Sequence, residues 1–122
     1  MKVGDRVLAA YQQKKKGTVK IARPTKVYKS KWESEYAKHL DLLCRSNPDI
    51  LDWKYEAIKL RLADGCWYTP DFVVVTLQGV EFHEVKGYYR EAARVRFRVA
   101  ADTFPYFKFK IIRLKNGQWV EE

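Results

Sequence analysis

Asp71 and Glu84 stand thirteen positions apart, each in a run of β character. The first lies in Tyr-Thr-Pro-Asp-Phe-Val-Val-Val and the second in Glu-Phe-His-Glu-Val-Lys-Gly. Side chains along a strand alternate between its faces, so Glu84 and Lys86 project together while Val85 turns away. Two carboxylates on neighbouring strands make a seat for a hard divalent cation, Mg²⁺ or Mn²⁺, which takes oxygen ligands. An ammonium beside them can hold a water or neutralise charge that builds on a phosphate. These residue types in this spacing are equipped to hydrolyse a phosphodiester. Two plainer roles compete. An Asp after Pro at a turn often caps a backbone N–H, and Glu84 with Lys86 would also make a structural ion pair. His83 has the opposite parity to Glu84 and is given no catalytic role.

The elements that must position these groups can be read along the chain. Ser30-Lys31-Trp32-Glu33 fits a capping box and opens a helix that ends near Ser46, before the Asn47-Pro48-Asp49 turn signal. Tyr36, Ala37, Leu40, Leu43 and Cys44 share one face of it. Glu33 lies on that inward stripe, so its carboxylate has a choice between the cap and the site. Glu35 is the fallback, on a wetter side. A strand is expected around Glu56, Ile58, Leu60 and Leu62 on one face, with Glu56 a further candidate acid. A turn at Ala63–Cys66, a strand from Trp67 to Leu77, and a third from Val80 to Lys86 complete an antiparallel meander. A second helix runs from Arg90 to about Thr103, with Ala93, Phe97, Ala100 or Ala101 and Phe104 inward and Arg90, Arg94 and Arg98 as a basic stripe. A strand from Tyr106 to Leu114 follows, and Asn116-Gly117 turns it into Gln118-Trp119-Val120. Strand, helix, strand implies a right-handed crossover and a parallel pair. The expected class is α/β, with a mixed sheet flanked by helices.

The run from Ser30-Lys31-Trp32-Glu33 through Tyr68-Thr69-Pro70-Asp71-Phe72 to Glu84-Val85-Lys86-Gly87 resembles the PD-(D/E)xK nuclease superfamily. Within it, the run is similar to the small phage-type endonucleases, including those proposed as Holliday-junction resolvases. The resemblance spans roughly residues 30–114. It implies a restriction-endonuclease-like core and a Mg²⁺- or Mn²⁺-dependent endodeoxyribonuclease. Asp71, Glu84 and the backbone carbonyl of Val85 would hold the metal, Glu33 would reach it through a water, and Lys86 would act on the attacking water or the phosphate. It also implies a place in phage DNA processing inside a bacterial host cell. A dimeric resolvase, with Trp119, Tyr106 and Phe107 at its interface, and a non-catalytic DNA-binding module on the same fold are the alternatives.

Charge adds an independent pointer to DNA. The net charge is +9, and residues 1–31 carry ten Lys or Arg against one acid, while the rest of the chain holds 14 of each sign. An excess confined to one end reads as a basic arm on a phosphate backbone, here residues 1–29 with Lys14, Lys15, Lys16, Lys20 and Arg23. Arg90, Arg94 and Arg98 would grip phosphates beside the cut. Residues 30–122 are then the nuclease domain. No apolar run reaches membrane-span length and no signal peptide opens the chain, so a cytoplasmic, membrane-free protein is expected. Cys44 and Cys66 lack metal-ligand spacing and read as reduced thiols. No recognition helix or zinc finger stands out, so backbone or structure recognition is expected rather than sequence readout.

Overall fold

Ser30 has extended backbone, and its hydroxyl accepts from the Glu33 N–H at 3.1 Å. That cap opens α1, Lys31–Ser46, whose inward residues are Glu33, Tyr36, Ala37 and Leu40. The computed structural model describes Gly4, residues 28–86 and residues 91–122, the side chains of Glu91 and Ala92 excepted. The basic-arm residues Lys14, Lys15, Lys16, Lys20 and Arg23, together with Arg90 and the Gly87-Tyr88-Tyr89 stretch, lie outside the described residues.

The chain continues through β1 (Ile50–Tyr55), β2 (Leu60–Ala63), β3 (Cys66–Tyr68), β4 (Phe72–Thr76), β5 (Gly79–Val85), α2 (Glu91–Thr103), β6 (Lys108–Lys115) and β7 (Gln118–Glu121). A five-stranded sheet has the order β1-β4-β5-β6-β7, and β2 pairs with β3 in a separate two-stranded sheet. All pairs in the larger sheet are antiparallel except β5–β6, which is parallel across the α2 crossover. The protein is therefore α/β with a mixed sheet and two described helices. Among the described residues no helix is long and apolar enough to cross a membrane.

Strand parity sorts the core into two layers. On one face, Trp53, Tyr55, Phe72, Val74, Val85 and Ile112 pack under Tyr36, Ala37 and Leu40 of α1. On the other, Val73 and Phe82 meet Phe97 and Ala100 of α2 and Leu60 and Tyr68 of the β2–β3 hairpin. Tyr28, counted with the arm, packs its ring on Tyr55 at 4.7 Å and on Phe72 at 6.4 Å.

Three expectations are revised. The first strand of the sheet is Ile50–Tyr55, signalled by the alternation of Leu51, Trp53 and Tyr55, all buried. Glu56 ends it and does not share a face with Ile58 and Leu60 along one continuous strand. The single strand expected from Trp67 to Leu77 is broken at Thr69-Pro70-Asp71. Proline cannot donate to a ladder, and buried Pro70 marks where the chain leaves the hairpin for the main sheet. The meander is thus β1-β4-β5 with a hairpin inserted. Finally, of the three aromatics expected at an interface, Tyr106 is 74% exposed, but Phe107 and Trp119 are half-buried and packed against the two cores. The Asn116-Gly117 turn is as expected, with φ of 51° and 75°, the pair of positive values a tight hairpin turn requires.

Candidate active site

Register brings the acids together. β1 pairs with β4 through Tyr55↔Phe72, and the ladder continues one step as the Glu56 N–H donates to the Asp71 carbonyl at 2.9 Å. β4 pairs with β5 through Phe72↔His83, so the next step sets Asp71 beside Glu84. Glu56, Asp71 and Glu84 thus form a row across the same end of three neighbouring strands. Glu33 joins from the first turn of α1. Its carboxylate, 9% exposed, accepts from the Tyr55 hydroxyl. That contact, made from the inward stripe, directs Glu33 to the sheet end.

Each acid has a fixed partner. Asp71 Oδ2 accepts from the Val85 N–H at 2.9 Å. Glu84 accepts from the Tyr68 hydroxyl, so β3 reaches across to clamp it. Glu56 Oε2 pairs with Lys29 Nζ at 3.0 Å, and the Lys29 N–H donates to the Tyr55 hydroxyl at 3.2 Å. Glu56 itself has φ of 46°, a left-handed backbone that a non-glycine residue adopts only under constraint.

The electrostatics are those of crowded negative charge. Burial first, then the Glu84 charge, pushes the Asp71 carboxyl up to about 8, with Glu33 and Glu56 adding repulsion and the Val85 N–H opposing it. Burial likewise pushes Glu84 up to about 7, against the Tyr68 hydroxyl, with Glu33 raising it and Lys29 lowering it. Burial, then the Glu33 hydrogen bond, raises the Tyr55 hydroxyl and keeps it a donor. The bond to Glu56 raises the Lys29 ammonium. Desolvated like charges of this kind are costly unless protonated or neutralised by a cation.

Among the described residues no three His, Cys, Asp or Glu side chains already converge as ligands of one ion. Asp71 lies in the field of Glu84, Glu33 and Glu56, while the carboxylates themselves are turned to Tyr55, Tyr68, Val85 and Lys29. The donor set is all oxygen, with Glu33 buried and Glu56, Asp71 and Glu84 half-buried. That fits a hard divalent cation.

Lys86 continues β5, its N–H donating to the Ile112 carbonyl at 2.7 Å. Its ammonium donates to both oxygens of Glu122, at 3.0 and 3.3 Å, and Arg113 joins the same carboxylate at 3.5 Å. Glu35 is engaged with Lys38 at 3.3 Å. Arg94 and Arg98 are exposed on α2. His83 faces α1 as its parity requires, bonded to Tyr36 at 2.6 Å and to Glu81 at 2.9 Å, and Lys110 pairs with Glu81 at 3.2 Å. Those side chains belong to a separate, internally satisfied network.

Sequence reasoning missed Lys29, Tyr55 and Tyr68. Lys29 counts only toward the general positive charge, Tyr55 carries no assignment, and Tyr68 enters only as part of the Tyr68-Thr69-Pro70-Asp71-Phe72 run. Only Tyr68, three residues before Asp71, carried a local signal. Comparison of the chain with family models, with curated proteins and with solved structures finds no match.

Proposed function

We propose that this chain is a metal-dependent endodeoxyribonuclease with a restriction-endonuclease-like core of the PD-(D/E)xK kind. The observation that carries this reading is the row of Glu56, Asp71 and Glu84 across one end of three neighbouring strands, with Glu33 of α1 held beside it by the Tyr55 hydroxyl. Four acids at one sheet end, with the Asp71 and Glu84 carboxyls both raised by desolvation and mutual repulsion, are costly for the fold alone, which favours a site.

Asp71 and Glu84 would hold Mg²⁺ or Mn²⁺. The Val85 N–H faces Asp71, and extended backbone turns the carbonyl of the same residue to the same side, where it can serve as a third ligand. The cation, when bound, supplies Lewis acidity toward the phosphate and toward a coordinated water. The chain supplies the rest. Tyr68 and Tyr55 hold the carboxylates of Glu84 and Glu33, which would turn toward one another to share an ion. Glu33 positions a water. Lys86 neutralises charge building on the phosphate. Its partner Glu122 is 37% exposed, and exposed ion pairs are weak, so a phosphate oxygen can replace it. Lys29, already beside Glu56, is a second cation for the same purpose. Arg94, Arg98 and the basic arm bind backbone phosphates without reading sequence.

The test is nicking of supercoiled plasmid in Mg²⁺ or Mn²⁺. Cleavage that is lost in EDTA, and lost in Asp71→Ala and Glu84→Ala while DNA binding in Ca²⁺ persists, is the expected result. Equal cleavage by those variants removes the assignment.

A further inference from the structure

The row of acids extends toward the last strand of the sheet. Glu84 pairs with Ile111 on β6, and the N–H of Glu122, the residue after β7, donates to the Ile111 carbonyl at 2.8 Å. Glu84, Ile111 and Glu122 therefore lie side by side. Ile111 packs with the second core and its neighbour Ile112 with the first. By strand alternation, Lys86 and Arg113 share the face of Glu84 and Ile111. Glu121 takes the opposite face, where it meets Lys110 at 3.4 Å. Glu122 thus returns to the face of the acids.

Cations from three elements meet Glu122 there. The Lys86 ammonium of β5 reaches across β6 to both carboxylate oxygens, at 3.0 and 3.3 Å. The Arg113 guanidinium of β6 stands 3.5 Å from Oε1. The Lys86 hydrogen bond holds the Glu122 carboxyl below the usual carboxylate range, and the charges of Arg113 and of Arg94 on α2 act in the same direction. A delocalised anion with two equivalent oxygens, met by an ammonium and a guanidinium, has the donor pattern that a phosphodiester group receives. Glu122 and Arg113 are both exposed, and ion pairs in solvent are weakly held. A phosphate can take the place of the carboxylate.

We propose that Lys86, Arg113 and Arg94 form a seat for one backbone phosphate of DNA beside the acid row, and that Glu122 fills this seat in the free protein as an internal competitor. The proposal rests on the nuclease reading for its choice of ligand. It deepens that reading by adding Arg113 to the DNA-binding residues and by giving the site a built-in restraint. DNA that displaces the Glu122 carboxylate leaves its phosphate on Arg113 and Arg94. The Lys86 ammonium is then free to turn back along its own strand face toward Glu84. No covalent bond changes in the exchange; one anion replaces another.

Anisotropy titrations of a labelled DNA duplex in Ca²⁺ test this. Glu122→Gln keeps the size of the side chain and removes its charge, and it should tighten binding by about tenfold, the fold-change of one charge-assisted hydrogen bond. Glu121→Gln removes the same charge one residue away on the opposite face and should leave binding nearly unchanged. Arg113→Gln should weaken binding by a similar factor, and should erase the gain when combined with Glu122→Gln. Unchanged binding by Glu122→Gln overturns the proposal. So does an equal gain from Glu121→Gln, which would be general relief of negative charge, or an Arg113→Gln variant that binds as the parent chain does. Plasmid nicking by the parent chain reports on the nuclease reading separately. Nicking without a gain in Glu122→Gln sinks the phosphate seat alone, and a gain without nicking sinks the nuclease reading alone.

Discussion

Asp71 is where the local forces conflict most. It is half-buried next to Glu84 and within the field of Glu33 and Glu56, and the backbone N–H of Val85 is set against that repulsion. Asp71→Asn removes the charge while leaving an oxygen for the Val85 N–H. Because Asn needs no proton to be tolerated there, it should raise the melting temperature in EDTA at pH 7 and lower cleavage by at least about 10²–10³-fold. Thermal melts and plasmid nicking on one preparation check both. Glu56 is in conflict with its own backbone, whose left-handed conformation predisposes the position to glycine. Glu56→Gly should keep or raise the melting temperature while weakening cleavage, whereas Glu56→Val should lower stability by about 1–2 kcal/mol. A melting temperature that falls in the glycine variant would mean the Lys29 pairing outweighs the strain.

Among the elements, α1 and the hairpin each deliver one group to the strand-end row. The Ser30 cap fixes the first turn of α1, the turn that carries Glu33. Capping therefore sets the position of a site residue as well as the start of a helix. The hairpin acts through Tyr68, whose hydroxyl holds Glu84. Tyr68→Phe should lower cleavage or metal affinity by about 10–100-fold, as removal of a group that orients a ligand does. Its apolar ring should stay packed on Phe97 (6.2 Å between centroids), so the melting temperature should change little. Isothermal titration with Mn²⁺ separates the two effects.

For the whole molecule, the raised carboxyls make stability depend on pH. Unfolded, Asp71 and Glu84 lose their protons near 3.8 and 4.5; folded, they keep them to about 8 and 7. Between those limits the folded chain binds more protons than the unfolded one, so stability falls as pH rises. Melts in EDTA should therefore drop steadily from pH 5 to pH 8. Mg²⁺ or Mn²⁺ must displace those protons, so the stabilisation each ion confers should grow over the same interval. Asp71→Asn should flatten both trends. The charge of residues 1–31 belongs to the same scale. Removing residues 1–27, which spares Tyr28 on the core and Lys29 on Glu56, should weaken DNA binding and shrink its salt slope by about one for each phosphate that is no longer neutralised. An unchanged slope would leave the arm as solvated charge.

Elements with strong local signals were legible in the order of residues alone. The capping box placed α1, the apolar strand with Glu84 and Lys86 placed β5, and Asn116-Gly117 placed the last hairpin. Strand parity separated His83 from Glu84, because alternation is a local property of extended backbone. The carboxylates were legible as candidates because a charged group in an apolar strand demands a reason. Their partners were not. Whether Tyr55 and Tyr68 are core rings or hydrogen-bond donors, whether Lys29 belongs to an arm or to the site, and whether Lys86 faces solvent or Glu122 all depend on contacts between residues far apart in the chain. The break of the expected strand at Thr69–Asp71 was half legible: Pro70 marks the break, but that the chain changes sheets there depends on the packing of the hairpin on α2. Periodicity and turn chemistry act over a few residues, and only the closing of the sheet brings Glu56, Asp71 and Glu84 into one row.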